Sequence, residues 1–262
     1  MDAFGGQSHR NPSRMPSTDD SAPSHSDAVR ARGHGASARG PQARGIATRR
    51  ALLVAAADQF AVHGFHGTTL SAVLAAAEVT KGSLYFHFED KEALAAAVID
   101  EMAAGWDRVD AAVETDGLDP LHSALTASDL AVVAILEDPI ARGGVRLLRD
   151  PALPAGAADQ HWGTGETALA AHFGAAAAAG LLRPGLDPTR LARSVIAQIT
   201  GHSVICDRAP HRSGLWDAVT DMWCALLPAI ATDTWLANWD PPTWSERPRP
   251  ELVTALAETD PH

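Results

Sequence analysis

Residues 69–91 read TLSAVLAAAEVTKGSLYFHFEDK, two short amphipathic helices around a tight turn and the beginning of a third. Thr69 is placed to cap the first, whose Leu70, Val73 and Leu74 share one helical face. The turn falls around Glu78 and Val79. Thr80 caps a second helix that ends near Phe88, with Lys81, Gly82 and Ser83 in its exposed first turn. Leu84 and Phe88, four apart, pack inward and leave Lys81, Ser83, Tyr85 and His87 on the other side. That outward set is small, polar, positive or phenolic, which suits phosphate oxygens and base edges in a DNA groove. Asp90 caps the third helix and puts Lys91 in a first turn whose backbone N–H groups favour an anion. Helices packed for stability alone need no Lys-Gly-Ser and Tyr-x-His on their solvent side.

Working outward, the run TKGSLYFHF followed by DKEAL resembles the DNA-binding helix-turn-helix of the tetracycline-repressor (TetR) family of regulators. The match extends upstream through Thr48, Arg49, Arg50, Ala51, Leu52 and Leu53, then Ala56, Phe60, Gly64 and Gly67-Thr68-Thr69, and covers about residues 46–105. One departure is Glu78, where such turns usually carry Gly. The resemblance implies an operator partner of double-stranded DNA, with Thr48, Arg49 and Lys91 holding phosphates. Lys81, Ser83, Tyr85 and His87 are expected in or over the major groove, with Thr69, Thr80 and Gly82 also among the DNA-contacting residues.

The chain has 262 residues and a net charge of −11, which at first argues against nucleic acid. The distribution says otherwise. The first fifty residues carry eight arginines against four aspartates, a local +4, which leaves −15 for the rest. The two lysines, Lys81 and Lys91, both fall in the proposed DNA-reading unit. No run of 18 apolar residues spans a membrane, and no apolar segment follows the early basic residues as a secretory signal does, so a cytoplasmic protein is expected. Cys206 and Cys224 make neither a disulfide framework nor a four-ligand zinc site and are expected as small buried residues.

Residues 1–44 are rich in Ser, Gly, Pro, Arg and His and are expected to be disordered. Two readings of them stand: a basic arm on phosphates near the operator, through Arg30, Arg32, Arg39 and Arg44, or an unselected extension with Met15 as a later start. A helix runs from Ile46 to His63, stopped by Gly64. Past the helix-turn-helix domain (45–90), a long helix carries Leu94, Val98, Met102 and Trp106 at four-residue steps. Asp119-Pro120, Asp138-Pro139 and Asp187-Pro188 each announce a helix, a carboxylate cap before a proline at the first position. Another helix is expected from about Asp159 through Trp162 to Ala179. The last carries Trp216, Val219, Trp223, Leu226 and Ile230, a 3-4-3-4 seam for near-parallel packing. The body is thus set at 91–231, and prolines 241, 242, 248 and 250 point to a loose tail over 232–262. With no repeat and no alternating strand pattern, the chain is expected to be all-α with about nine helices after the arm.

Catalysis is not expected. The carboxylates mostly occupy caps, the twelve histidines are scattered, and no phosphate loop, zinc spacing or nucleophile elbow appears, so no cofactor or metal is expected. A binding pocket fits the body better. DPIARGGVRLL, the Trp in HWGTGETALAAHF, the ITG at 199–201, DMWCALLPAIA and the Phe before the His in TKGSLYFHF resemble one TetR subfamily. These are the γ-butyrolactone autoregulator receptors, quorum-sensing repressors of antibiotic biosynthesis and differentiation genes in actinobacteria. The resemblance implies a lactone-type effector over Trp162, with Thr200 offering a hydroxyl to a ligand carbonyl. Met102, Val195, Ile199 and Val204 are candidates for the rest of the wall. The plainer readings are a partly buried packing tryptophan and a threonine bonded back to its own helix. The resemblance also implies a homodimer through the helices over 187–207 and 212–230, on a pseudo-palindromic operator. Alternatives are a related pseudo-receptor sensing an antibiotic, furan or butenolide, and a xenobiotic-responsive regulator of an efflux gene.

Overall fold

A computed structural model describes residues 40–115, 117–154, 161, 163–207 and 214–250. Among them are eleven helices and no strand. They are α1 (Pro41–Gly67), α2 (Leu70–Ala77), α3 (Lys81–His87), α4 (Lys91–Thr115), α5 (Pro120–Glu137), α6 (Pro139–Leu148), α7 (Thr164–Ala178), α8 (Pro188–Asp207), α9 (Gly214–Ile230), α10 (Asp233–Leu236) and α11 (Pro241–Ser245). From Ala43 onward the described residues form one compact unit. Both readings of the arm lie outside the described residues up to 39. Residues 41–44, expected within it, are instead the first turn of α1, with Pro41 at a position where its missing N–H costs no bond.

The caps read from the sequence are made. Thr69 accepts from Ala72 N at 3.2 Å, Thr80 from Ser83 N at 3.2 Å and Asp90 from Ala93 N at 2.7 Å. Asp119, Asp138 and Asp187 each accept from backbone amides at the start of α5, α6 and α8. The turn between α2 and α3 takes the left-handed conformation that favours glycine, with Glu78 at φ 55°, ψ 37°. Its amide still closes onto the last turn of α2, so the geometry survives the side chain.

Leu52, Leu53, Phe60, Val73, Leu84, Leu94 and Val98 form the head's core. Ile140 and Leu147 of α6 are buried in that same core. A second core gathers α5, α7, α8 and α9 around Phe173 and Trp223. Trp106 packs against both, so α4 and α6 tie head to body.

The loose tail expected over 232–262 is corrected as far as residue 250, and it accounts for the two helices beyond the expected nine. Trp235 is buried, its ring 4.8 Å from that of His122, and its Nε1 donates to Asp119 at the start of α5. Prolines 241 and 242 begin a helix instead of forbidding one, because Asp240 caps it and prolines are tolerated in a first turn. Beyond it Arg247 makes a bidentate pair with Asp129 of α5 at 2.6 and 2.8 Å. Cys206 and Cys224 are free and half-buried, less enclosed than expected.

Candidate nucleic-acid interface and inner cavity

α3 is a seven-residue helix fixed by its buried Leu84 and by Phe88 just past its end. Lys81, Gly82 and Tyr85 are exposed and Ser83 and His87 half-exposed. The Lys81 ammonium lies 5.7 Å from the centroid of the Tyr85 ring. Ser83 shares its hydroxyl with the cap, 2.9 Å from Thr80 Oγ1. Thr48 is half-buried in α1, and exposed Arg49 lies 5.5 Å over the Phe88 ring. Thr69 and Thr80 are exposed caps.

Lys91 differs from its expected surroundings. Its ammonium donates to the carbonyls of Phe65 (3.0 Å) and Thr68 (3.2 Å) and lies 4.5 Å from the Phe65 ring. Carbonyls at a helix end lack intrahelical partners and attract a cation, so Lys91 holds the end of α1 against the start of α4. Phe86, not singled out among the DNA-contacting residues, is 82% exposed. It sits midway between the inward Leu84 of α3 and Phe88 just past its end.

The body holds a half-open cavity of about 630 Å³ walled by α4, α5, α6, α7 and α8. Met102, Ile199 and Thr200 line it, with Trp106, Ile135, Val145, Leu148, Leu169 and Ile196. Two expected wall residues are corrected. Val195 is fully buried in the core with α9, and Val204 is 41% exposed on the outer face of α8. On α8, Ile196, Ile199, Thr200 and Ser203 line the cavity together with the exposed Arg193, Ala197 and Gly201, while Val195 turns about 100° from Ile196 into the core. Trp162 lies outside the described residues. Its neighbour His161 lines the cavity and bonds Asp100 across 2.8 Å.

Polar groups meet at one end. Arg149 donates to Ser203 Oγ at 2.7 Å, to the Thr200 carbonyl at 3.3 Å and to the Val145 carbonyl at 3.1 Å. Burial pulls its pKa below the ordinary guanidinium value, opposed by the Asp207 charge and helped by Arg146. The Ser128 and Ser203 hydroxyls bond back to helix carbonyls at 2.8 and 3.0 Å, but Thr200's makes no such bond among the described residues. Where the cavity meets solvent, Arg193 pairs bidentately with Glu166, the shortest contact 2.8 Å.

α6 serves both regions. On one side Arg142 pairs with Asp58 of α1 at 2.9 Å, and Asp150, just past α6, accepts from Phe65 N at 2.8 Å beside the break at Gly64 (φ 66°). A Cβ on Gly143 would lie 2.5 Å from the Ala57 carbonyl oxygen, and one on Gly144 2.5 Å from Met102 Sδ. On the other side Val145, Leu148 and Arg149 line the cavity.

The sequence of the head and the length of the body now have known counterparts. Residues 52–98 match the model for bacterial regulatory proteins of the tetR family. The A-factor receptor protein of Streptomyces griseus is 32% identical over 200 residues, covering 76% of this chain and 70% of that protein. The chain belongs to the tetR family. It is a ligand-responsive, DNA-binding repressor. A structure described as the molecular basis for control of antibiotic production by bacterial hormones is 29% identical, with a TM-score of 0.63, over 71% of this chain and 98% of that one. A γ-butyrolactone receptor described as ArpA-like shares the fold at a TM-score of 0.66 and 24% identity, covering 77% of this chain and 96% of that one. No helix among the described residues of this tetR-family chain is long and apolar enough to cross a membrane.

Proposed function

We propose that the protein is a homodimer that holds a pseudo-palindromic operator and is released from it by a small γ-butyrolactone-type signal. The reading rests on the cavity of about 630 Å³, apolar on most sides, whose wall helix α6 also packs into the head's core. That volume suits a lipid-like lactone with an acyl tail. Met102, Trp106 and Ile196 take the tail, and Thr200 Oγ1 donates to the ring carbonyl. A wall at α6 that moves to admit the ligand carries Gly143 and Asp150 with it, and so moves α1. The effector acts by binding more tightly to the form whose heads are spaced wrongly for the operator. The resemblance to repressors of antibiotic biosynthesis makes secondary-metabolism genes the proposed targets.

Dimerisation is assigned to α8 and α9. Ser194, Gln198, Gly201 and Ile205 make one exposed stripe of α8, joined by Val204, and Ala225 is exposed on α9. Lys81, Gly82, Ser83, Tyr85 and His87 meet the major groove, with Thr48, Arg49, Thr69 and Thr80 at its phosphate edges. Lys91 sets the seating of the head through α1. The half-buried guanidinium of Arg149 beside the cavity favours one alternative effector, a furan-type signal with an acidic head, which would compete with Asp207, 3.7 Å away, for that charge.

Two results are expected. Lys81→Ala and Tyr85→Phe weaken operator binding roughly tenfold each in a salt-dependent titration, while the dimer mass and effector affinity are unchanged. Equal DNA affinity in both variants removes α3 as the reading helix. Thr200→Val, nearly the same shape without the hydroxyl, raises the lactone concentration needed for release by roughly tenfold, about the loss of one hydrogen bond, with operator binding intact. An unchanged release curve removes Thr200 from the site.

A further inference from the structure

We infer that Phe86 reads sequence by packing its ring on the 5-methyl group of a thymine in each operator half-site. The inference rests on the DNA-binding reading of α3. On a helix of about 3.6 residues per turn, Phe86 lies close to opposite both Leu84 and Phe88. Those two are 0% and 6% exposed, whereas Phe86 is 82% exposed, more than any other large apolar residue described. Its ring meets the His87 ring edge-on, centroids 5.0 Å apart at 84°. Lys81 and Tyr85 lie together on one flank and Ser83 and His87 on the other. The apex of the helix is therefore Phe86 with Gly82, whose lack of a side chain clears the space beside the ring.

A ring so placed cannot exchange hydrogen bonds with base edges or phosphates. In the major groove the apolar group on offer is the thymine methyl, and aromatic contact with it is a recognised form of direct readout. Burying one methyl is worth about a fourfold change in affinity, so two half-sites give about fifteenfold. Phe86 thus adds a preference for T·A at one position to whatever its polar neighbours select.

The test uses the full-length dimer and a duplex selected by it from a random pool. Each thymine is replaced in turn by deoxyuridine, which removes the methyl and leaves the pairing edge intact. Wild type should lose about fourfold at one thymine per half-site and about fifteenfold when both are replaced. Phe86→Ala should bind the thymine and deoxyuridine duplexes equally, with its dimer and thermal unfolding unchanged because the ring packs on no core. Wild type indifferent to every replacement, or a Phe86→Ala dimer that keeps the full sensitivity, would overturn the inference while leaving α3 on DNA. Weaker binding of Phe86→Ala with sensitivity intact points to a sugar or phosphate contact and also overturns it. A pool from which nothing is enriched overturns the DNA-binding reading, and this inference with it.

Discussion

Gly143→Ala lowers the stability of the dimer by about 1–3 kcal/mol and weakens operator binding by roughly tenfold. The added methyl would lie 2.5, 2.7 and 2.9 Å from the O, Cα and C atoms of Ala57, all backbone, so no rotamer change relieves it. α6 must back away from α1 by roughly an ångström to restore ordinary contact distances. Asp150 follows from the other end of α6, straining its bond to Phe65 N at the break in α1. The variant should therefore resemble the released form, and reciprocity demands that its affinity for the effector rise as its affinity for DNA falls. Gly174→Ala is the control. It has open space around its Cβ and sits inside α7, so it gains about 0.4–1 kcal/mol and leaves operator affinity alone. Denaturant unfolding, operator titration and calorimetry with the lactone read all three quantities. Gly143→Ala with normal operator affinity would uncouple α6 from the head and end its role as transmitter.

The second large effect is at the other end of the chain. Arg247→Ala should cost about 3–5 kcal/mol, because it leaves Asp129 buried without its partner. The pair is enclosed, with side chains 14% and 8% exposed. The Arg247 guanidinium is also packed 3.9 Å over Trp244 and 4.4 Å over Trp216 and donates to Thr220. Burial pushes the Asp129 carboxyl above its ordinary pKa, against the opposing bond and charge of Arg247. The sign follows. A carboxyl raised on folding favours the protonated form, so its burial destabilises above its folded pKa and ceases to do so below its unfolded value. The cost of Arg247→Ala should therefore shrink as pH falls through the acid range, as Asp129 takes up a proton. Replacing both partners by apolar residues, Asp129→Leu with Arg247→Met, should recover most of the loss. A loss that stays constant with pH would show that the missing cation–π packing, and not an unpaired carboxylate, sets the cost.

Much of the head was legible because its signals are local. Thr69, Thr80 and Asp90 cap helices within three residues of themselves, and Leu84 and Phe88 mark the buried face by spacing alone. Glu78 was legible as a departure, and the backbone takes the left-handed turn all the same. Signals that depend on distant partners were not legible. Lys91 has its carbonyl acceptors at and just past the end of α1, and the tail is anchored by Trp235, Asp119, Arg247 and Asp129, residues about 116–118 positions apart. Prolines were read as loosening the tail, when its tryptophans carry the apolar area that fastens it. The cavity was half legible. In α8, where valine, isoleucine and alanine occur on several faces, pattern alone does not separate the wall residues Ile196 and Ile199 from the core residue Val195.

The measurement that tests the account most directly is a mobility shift of the full-length dimer on the DNA upstream of its own gene. It is run with and without a series of γ-butyrolactones differing in acyl-chain length. The expected result is a retarded band that disappears at one chain length, and that in Thr200→Val disappears only at higher lactone concentration. A band indifferent to every lactone contradicts the effector class, and no band at low salt from a confirmed dimer contradicts operator binding there.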